Sequence, residues 1–131
     1  MRVKLFGGLI AVGALLLAAM PALAHHSSAA EFDGNKEAVV TGVLTKVLWS
    51  NPHIYFMMNV TRPDGKVVEY SFQSGVPLLL HKQGIKKDDF KLGETVTVTY
   101  APAKDGGKNY GWMKMIKWQD GHVFVYRVGS E

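Results

Sequence analysis

The chain of 131 residues contains no cysteine. Disulfide staples and thiolate metal sites are therefore excluded, and any metal ligand must be histidine, methionine, carboxylate or a backbone group. Charge of one sign is also scarce. The chain has 15 Lys and Arg against 11 Asp and Glu. Arg2 and Lys4 precede the first apolar run, and without them 13 basic residues face 11 acidic ones. A balance this close lacks the basic footprint of a nucleic-acid surface. No apolar run reaches the ~20 residues that span a bilayer as a helix, since the longest extends only from Leu5 to Met20. There is no internal repeat, Gly-rich phosphate loop, Ser-His-Asp order or pair of carboxylates at catalytic spacing. An enzyme is therefore only a third reading, behind two kinds of binding protein.

What is present begins at the N-terminus. Met1-Arg2-Val3-Lys4, the apolar run and Pro21-Ala22-Leu23-Ala24 form a basic, an apolar and a small-residue segment in order, the pattern of a cleaved secretory signal. Residues 1–24 are expected to be removed, leaving a periplasmic or secreted protein with no stable membrane span. An uncleaved N-terminal anchor is the alternative. Cleavage after Ala24 makes His25 the first residue, with His26 beside it. An N-terminal histidine offers an α-amine and an imidazole to one ion, and copper and zinc both take such nitrogens.

Residues 25–36 read as an arm and 37–131 as one domain, long enough to bury a core without staples. Ala38 to Trp49 is rich in β-branched residues, with Gly42 suited to a bulge or bend. Ser50-Asn51-Pro52 breaks that strand, and His53 to Thr61 alternates, with Ile54, Phe56, Met58 and Val60 on one face. Pro63-Asp64-Gly65 predicts a hairpin into Val67 to Gln73. Val76 to Gln83 predicts a short helix, with Ser74 as its N-cap and Gly84 as its stop. Further strands are expected over Glu94 to Tyr100, Tyr110 to Trp118 and His122 to Val128, the last two joined by Asp120-Gly121. Three strands, a helix and two or three strands predict a mainly all-β fold. It is an OB-like barrel of five to six strands with its helix between strands 3 and 4. A β-sandwich is the alternative.

The residues that could carry chemistry are few. His53 opens the second strand after a turn in which Asn51 can position the chain as a group behind the ligands. His25, His26 and His53 make a candidate metal set, with copper favoured over zinc. Tyr55, Met57 and Trp112 form a possible ligand face, although aromatic and methionine side chains on strands also serve as core. His81 and His122 read as surface residues.

Several segments carry a resemblance. His25-His26-Ser27, Glu31-Phe32-Asp33, Gly42-Val43-Leu44-Thr45-Lys46-Val47, Trp49-Ser50-Asn51-Pro52-His53, Asp64-Gly65-Lys66 and Leu92-Gly93-Glu94-Thr95-Val96 together resemble the exported bacterial DUF6152 family, whose function is unknown. Members commonly read Gly-Trp after the short helix, where this chain has Gly84-Ile85. The resemblance implies an exported small β-domain and singles out His25, His26, Asn51 and His53, without supplying an activity. Two functions follow as expectations. One is a copper- or zinc-binding protein. The other is a metal-free module that holds a small ligand or an envelope protein.

Overall fold

The computed structural model describes residues 27–128. A four-residue helix, α1 (Ser28–Glu31), precedes β1 (Ala38–Leu48), β2 (Tyr55–Thr61) and β3 (Val67–Gln73). After helix α2 (Pro77–Lys82) and a 3₁₀ turn come β4 (Thr95–Pro102), β5 (Tyr110–Trp118) and β6 (Val123–Val125). β1 runs antiparallel to β2 on one side and to β4 on the other. β2 pairs with β3 and β4 with β5. β3 then pairs in parallel with β5, which closes a five-stranded barrel and leaves β6 as an extra strand on β5. This is the OB arrangement, with α2 between β3 and β4 as expected.

Period-two alternation builds the core. Phe56, Met58 and Val60 of β2 point inward, as do Phe72 of β3, Val96 and Val98 of β4, and Met113 and Ile116 of β5. α2 contributes Leu80, which is wholly buried. Phe90 sits 4.7 Å from Phe56 and 5.5 Å from Trp118, centroid to centroid, in an aromatic group inside the same core. Met58 and Met113 are fully buried core fillers, the role that methionine's flexible thioether suits.

Local details differ from the sequence expectation. The register shift in β1 falls between Leu44 and Lys46, past Gly42. Gly42 instead marks a close approach. A Cβ there would run into the Asn59 carbonyl oxygen and come within 2.8 Å of the Met58 methyl. Ser74 does not cap α2. The N-cap is Val76, Pro77 takes the first turn, and no side chain caps the helix. Proline's missing N–H makes that position inexpensive. The final strand is only three residues long. Beyond it the chain is held by a side chain: Gln83 Nε2 donates to the Arg127 carbonyl at 2.7 Å, and Arg127 N–H donates to Gln83 Oε1 at 3.1 Å. An amide thus stands in for a neighbouring strand.

A second apolar group lies outside the barrel. Trp112 is adjacent to inward-facing Met113 and so faces outward, where it packs with Phe32 and Ala101. The arm supplies Phe32, which is 2% exposed.

Gly42→Val forces the β1 backbone away from Asn59. It is expected to destabilise the fold by ~1–3 kcal/mol as an overpacking change, read as a lower urea midpoint at unchanged slope.

Candidate functional site

His53 sits at the end of the β1–β2 connection, after a cis Asn51–Pro52 bond. Two backbone bonds lace it to the segment after β3: Ile54 N–H to the Gly75 carbonyl at 3.0 Å, and Ser74 N–H to the Ile54 carbonyl at 2.8 Å. The His53 ring follows that lacing. Its Nδ1 lies 3.1 Å from the Ser74 carbonyl oxygen. A carbonyl can only accept, so Nδ1 carries a proton, and in the neutral ring the lone pair is on Nε2. The ring meets Trp112 edge-on, with centroids 5.9 Å apart. His53 is half-buried and Asn51 is exposed.

The arm reaches the same region. α1 ends at Glu31, whose carbonyl accepts from Lys104 N–H at 2.9 Å, while Asp33 N–H donates to the Pro102 carbonyl at 2.9 Å. Between these bonds Phe32 enters the outer cluster, 5.1 Å from Tyr110 and 5.9 Å from Trp112. Lys104 Nζ donates to the Ala29 carbonyl at 2.6 Å. The arm is therefore stitched to the β4–β5 loop on both sides of a buried aromatic ring.

A polar relay runs alongside. Gln73, 5% exposed, pairs in register with Tyr55 across β2–β3 and with Trp112 across β3–β5. Its Oε1 accepts from Tyr110 at 2.7 Å and from Tyr55 at 3.3 Å. The Tyr110 oxygen also lies 3.1 Å from the Glu31 carboxylate. One hydroxyl proton is thus shared between two acceptors. Burial, then the hydrogen bond and the negative charge of Glu31, push the Tyr110 hydroxyl well above its usual range.

The structure brings together some of the residues singled out from sequence. Tyr55 and Trp112 share the outer face with His53. Met57 follows on the same side of β2 and is half-buried. Trp112 is only 8% exposed, because Phe32 and Tyr126 cover it. His25 and His26 lie outside the described residues. Among the described residues, no group of three His, Asp or Glu side chains is placed to hold a metal ion, so His53 would need ligands from beyond that range. Sequence reasoning missed Glu31, Gln73 and Tyr110. Their partnership spans up to 79 positions, and only Phe32, a lone aromatic in a polar arm, hinted that the arm docks.

Two clefts flank these elements. One of about 480 Å³ runs between Ser28, Phe32, Trp112, Val125, Tyr126 and Val128. A larger one of about 800 Å³ includes Trp118, Asp120 and His122 and shares no lining residue with the first. In the larger cleft the His122 ring stacks on Trp118 at 4.1 Å and its Nδ1 bonds Asp120. The His122 backbone N–H, then its ring, hold the Asp120 carboxyl below its usual value. The smaller cleft is the one that adjoins His53, through Trp112.

Phe32→Ala leaves a void under the arm and is expected to release it. Amide exchange over residues 28–36 should rise by at least tenfold while the β2 and β4 amides stay protected. Tyr110 also gives the arm a pH dependence. Because the folded protein holds this hydroxyl neutral above its usual pKa of 10.0, the stability it contributes is present below pH ~10 and is lost as pH rises beyond that value. The protection of the arm amides, taken relative to their intrinsic base-catalysed exchange rate at each pH, should fall above pH ~10, and Tyr110→Phe should remove that fall.

The curated proteins and the solved structures give no match to this chain. A family described as a family of unknown function, DUF6152, matches residues 14–114. That span covers the arm, the His53 turn and the barrel as far as β5, and on it this small β-barrel chain belongs to the DUF6152 family.

Proposed function

We propose that the chain is an exported binding protein whose mature N-terminus and Asn-Pro-His turn together hold a copper or zinc ion. The observation that carries this reading is the fixed tautomer of His53. Its Nδ1 proton is engaged by the Ser74 carbonyl, so that in the neutral ring Nε2 would present the lone pair that a metal requires, in the arrangement that orients metal-binding imidazoles generally. The donor set fits the ion: His25 would supply amine and ring, His26 and His53 one ring nitrogen each, and these are nitrogen ligands suited to copper(II) and zinc. Asn51 would steady the turn from behind.

Chain connectivity supports the arrangement. His26 directly precedes Ser27, and consecutive Cα atoms are ~3.8 Å apart. Ser28 and Trp112 line one cleft, and Trp112 lies 5.9 Å from the His53 ring. Export rests on the signal-like segment up to Ala24. Among the described residues no helix is long and apolar enough to cross a membrane. The role of such a site is to carry or hand over the ion.

The test is a titration of the mature chain with copper(II) and zinc, alongside a form bearing one extra N-terminal Gly and a His53→Ala variant. Stoichiometric binding by the mature chain, weakened at least a hundredfold in both altered forms, is the expected result. Equal binding by all three, or none by the mature form, removes the metal site. It leaves the metal-free reading, in which the apolar 480 Å³ cleft takes a small ligand or envelope partner.

A further inference from the structure

The cleft of about 800 Å³ stands apart from His53 and from the proposed metal site. Its wall is acidic. Asp88, Asp89, Glu94 and Asp120 line it, and Lys91 is the one Lys or Arg among its lining residues. Over the whole chain Lys and Arg outnumber Asp and Glu by 15 to 11, so the cleft reverses the balance of the molecule. Among the described residues Asp88, Asp89 and Glu94 form no ion pair. Backbone groups steady three of the carboxylates through one oxygen each. Asp89 accepts from Lys86 N–H at 2.8 Å, Glu94 from Lys91 N–H at 3.4 Å and Asp120 from His122 N–H at 3.0 Å. Carboxylates gathered in a cleft with protein walls focus their field on it and favour a cation there.

Trp118 adds an observation independent of charge. It lines the cleft, is 5% exposed, and its indole N–H has no hydrogen-bond partner among the described residues. A buried indole N–H ordinarily finds an acceptor. The indole packs against Phe90 of the core, and the His122 ring lies on it, stacked at 4.1 Å and within 11° of parallel. His122 is itself exposed and lines the cleft. Its Nδ1 bonds the Asp120 carboxylate, which can only accept, so the ring donates. The cleft therefore already holds, from its own chain, a flat donor lying on an indole with a carboxylate at its edge.

We propose that this cleft binds an arginine residue of a peptide, whose guanidinium takes the place of the His122 ring on Trp118 and bonds Asp120. Among side-chain cations the guanidinium alone is planar, stacks on aromatic faces and meets a carboxylate with two N–H groups. The cleft has the volume of a site for a ligand larger than a bare head group, so it seats the flanking backbone as well. That backbone brings carbonyl acceptors to a site with an unpartnered donor. Free arginine carries a carboxylate, which the acidic wall repels; within a peptide that charge is gone. Displacing His122 leaves the hairpin intact. The Trp118 backbone N–H donates to the His122 carbonyl at 3.0 Å, and the exposed ring swings away about its own side-chain bonds.

Titration of the isotope-labelled mature chain with N-acetyl-arginine amide, followed by NMR, tests this. Saturable shifts of the Trp118 indole N–H and of the Gly121 and Val123 amides are expected, with a Kd of roughly a millimolar for so small a probe. N-acetyl-lysine amide should bind about fivefold more weakly or worse, because its ammonium has no plane to stack. Free arginine should also bind more weakly, through repulsion of its carboxylate. Asp120→Asn keeps the acceptor of the turn and should weaken binding about fivefold or more. His122→Ala should tighten it about threefold or more, because no ring of the chain then competes for the indole. Circular dichroism matching the parent chain qualifies each variant. Absence of saturable shifts at Trp118 overturns the proposal. So does equal binding of the arginine and lysine amides, indifference to Asp120→Asn, or a His122→Ala variant that binds no more tightly than the parent. Free arginine binding as tightly as its capped amide overturns the peptide as the source.

Discussion

Three parallel pairs between Ser71–Gln73 and Tyr110–Trp112 close the barrel, and the surroundings of His53 depend on them. Without that seam β3 and β5 would be sheet edges with unpaired backbone groups. With it, Gln73 stands beside Trp112, and Tyr110 comes within hydrogen-bond reach of Gln73. The same closure continues past β3. Ser74 and Gly75 pair with Ile54, and Ser74 then offers its carbonyl to the His53 ring. One short stretch of backbone pairing therefore completes the fold and also fixes which nitrogen of His53 is free.

That seam would leave apolar surface in water if nothing covered it. Trp112 faces outward because Met113 must face inward, and a buried tryptophan on the outside needs a lid. The arm provides one. Burying a ring such as Phe32 is worth ~1.5–3 kcal/mol. The backbone bonds at Glu31 and Asp33 satisfy the groups that docking removes from water. Tyr110 links this lid to the barrel through Glu31 and Gln73. A chain without disulfides thus ties down its N-terminal segment with one aromatic ring and a few directed hydrogen bonds.

Much of the barrel was legible in the sequence because alternation is a local property. The inward set of β2, the Asp64-Gly65 hairpin and the limits of β3 and β5 all follow from spacing and turn chemistry. The failures are non-local. A register shift opposite Thr99–Tyr100 leaves Lys114 as an extra residue in β5 and changes which residues of β5 face in, so that Met113 and Ile116 both enter the core, and nothing in the local pattern marks it. Ser74 looks like a helix cap by type, yet it is wholly buried and its hydroxyl has no partner. What decided its place was the pairing with Ile54, not the helix that follows. His53 was legible as a candidate from its turn, but its tautomer depends on a carbonyl 21 residues away.

The docked arm also bears on whether a terminal site is energetically reasonable. Ordering a free chain costs ~1–2 kcal/mol per residue in backbone entropy. An ion gathering the terminus of an arm loose from residue 25 to 36 would meet that cost a dozen times over, more than a few nitrogen ligands readily offset. In the structure, residues 28–33 are already held by α1, by the ring of Phe32 and by the bonds to Pro102 and Lys104. A site built on the arm therefore starts with the backbone entropy of these residues already lost. The preformed imidazole of His53 lowers the cost further, because its ring is already oriented. In the proposed site, the docked arm would settle that share of the entropy during folding, before any ligand binds.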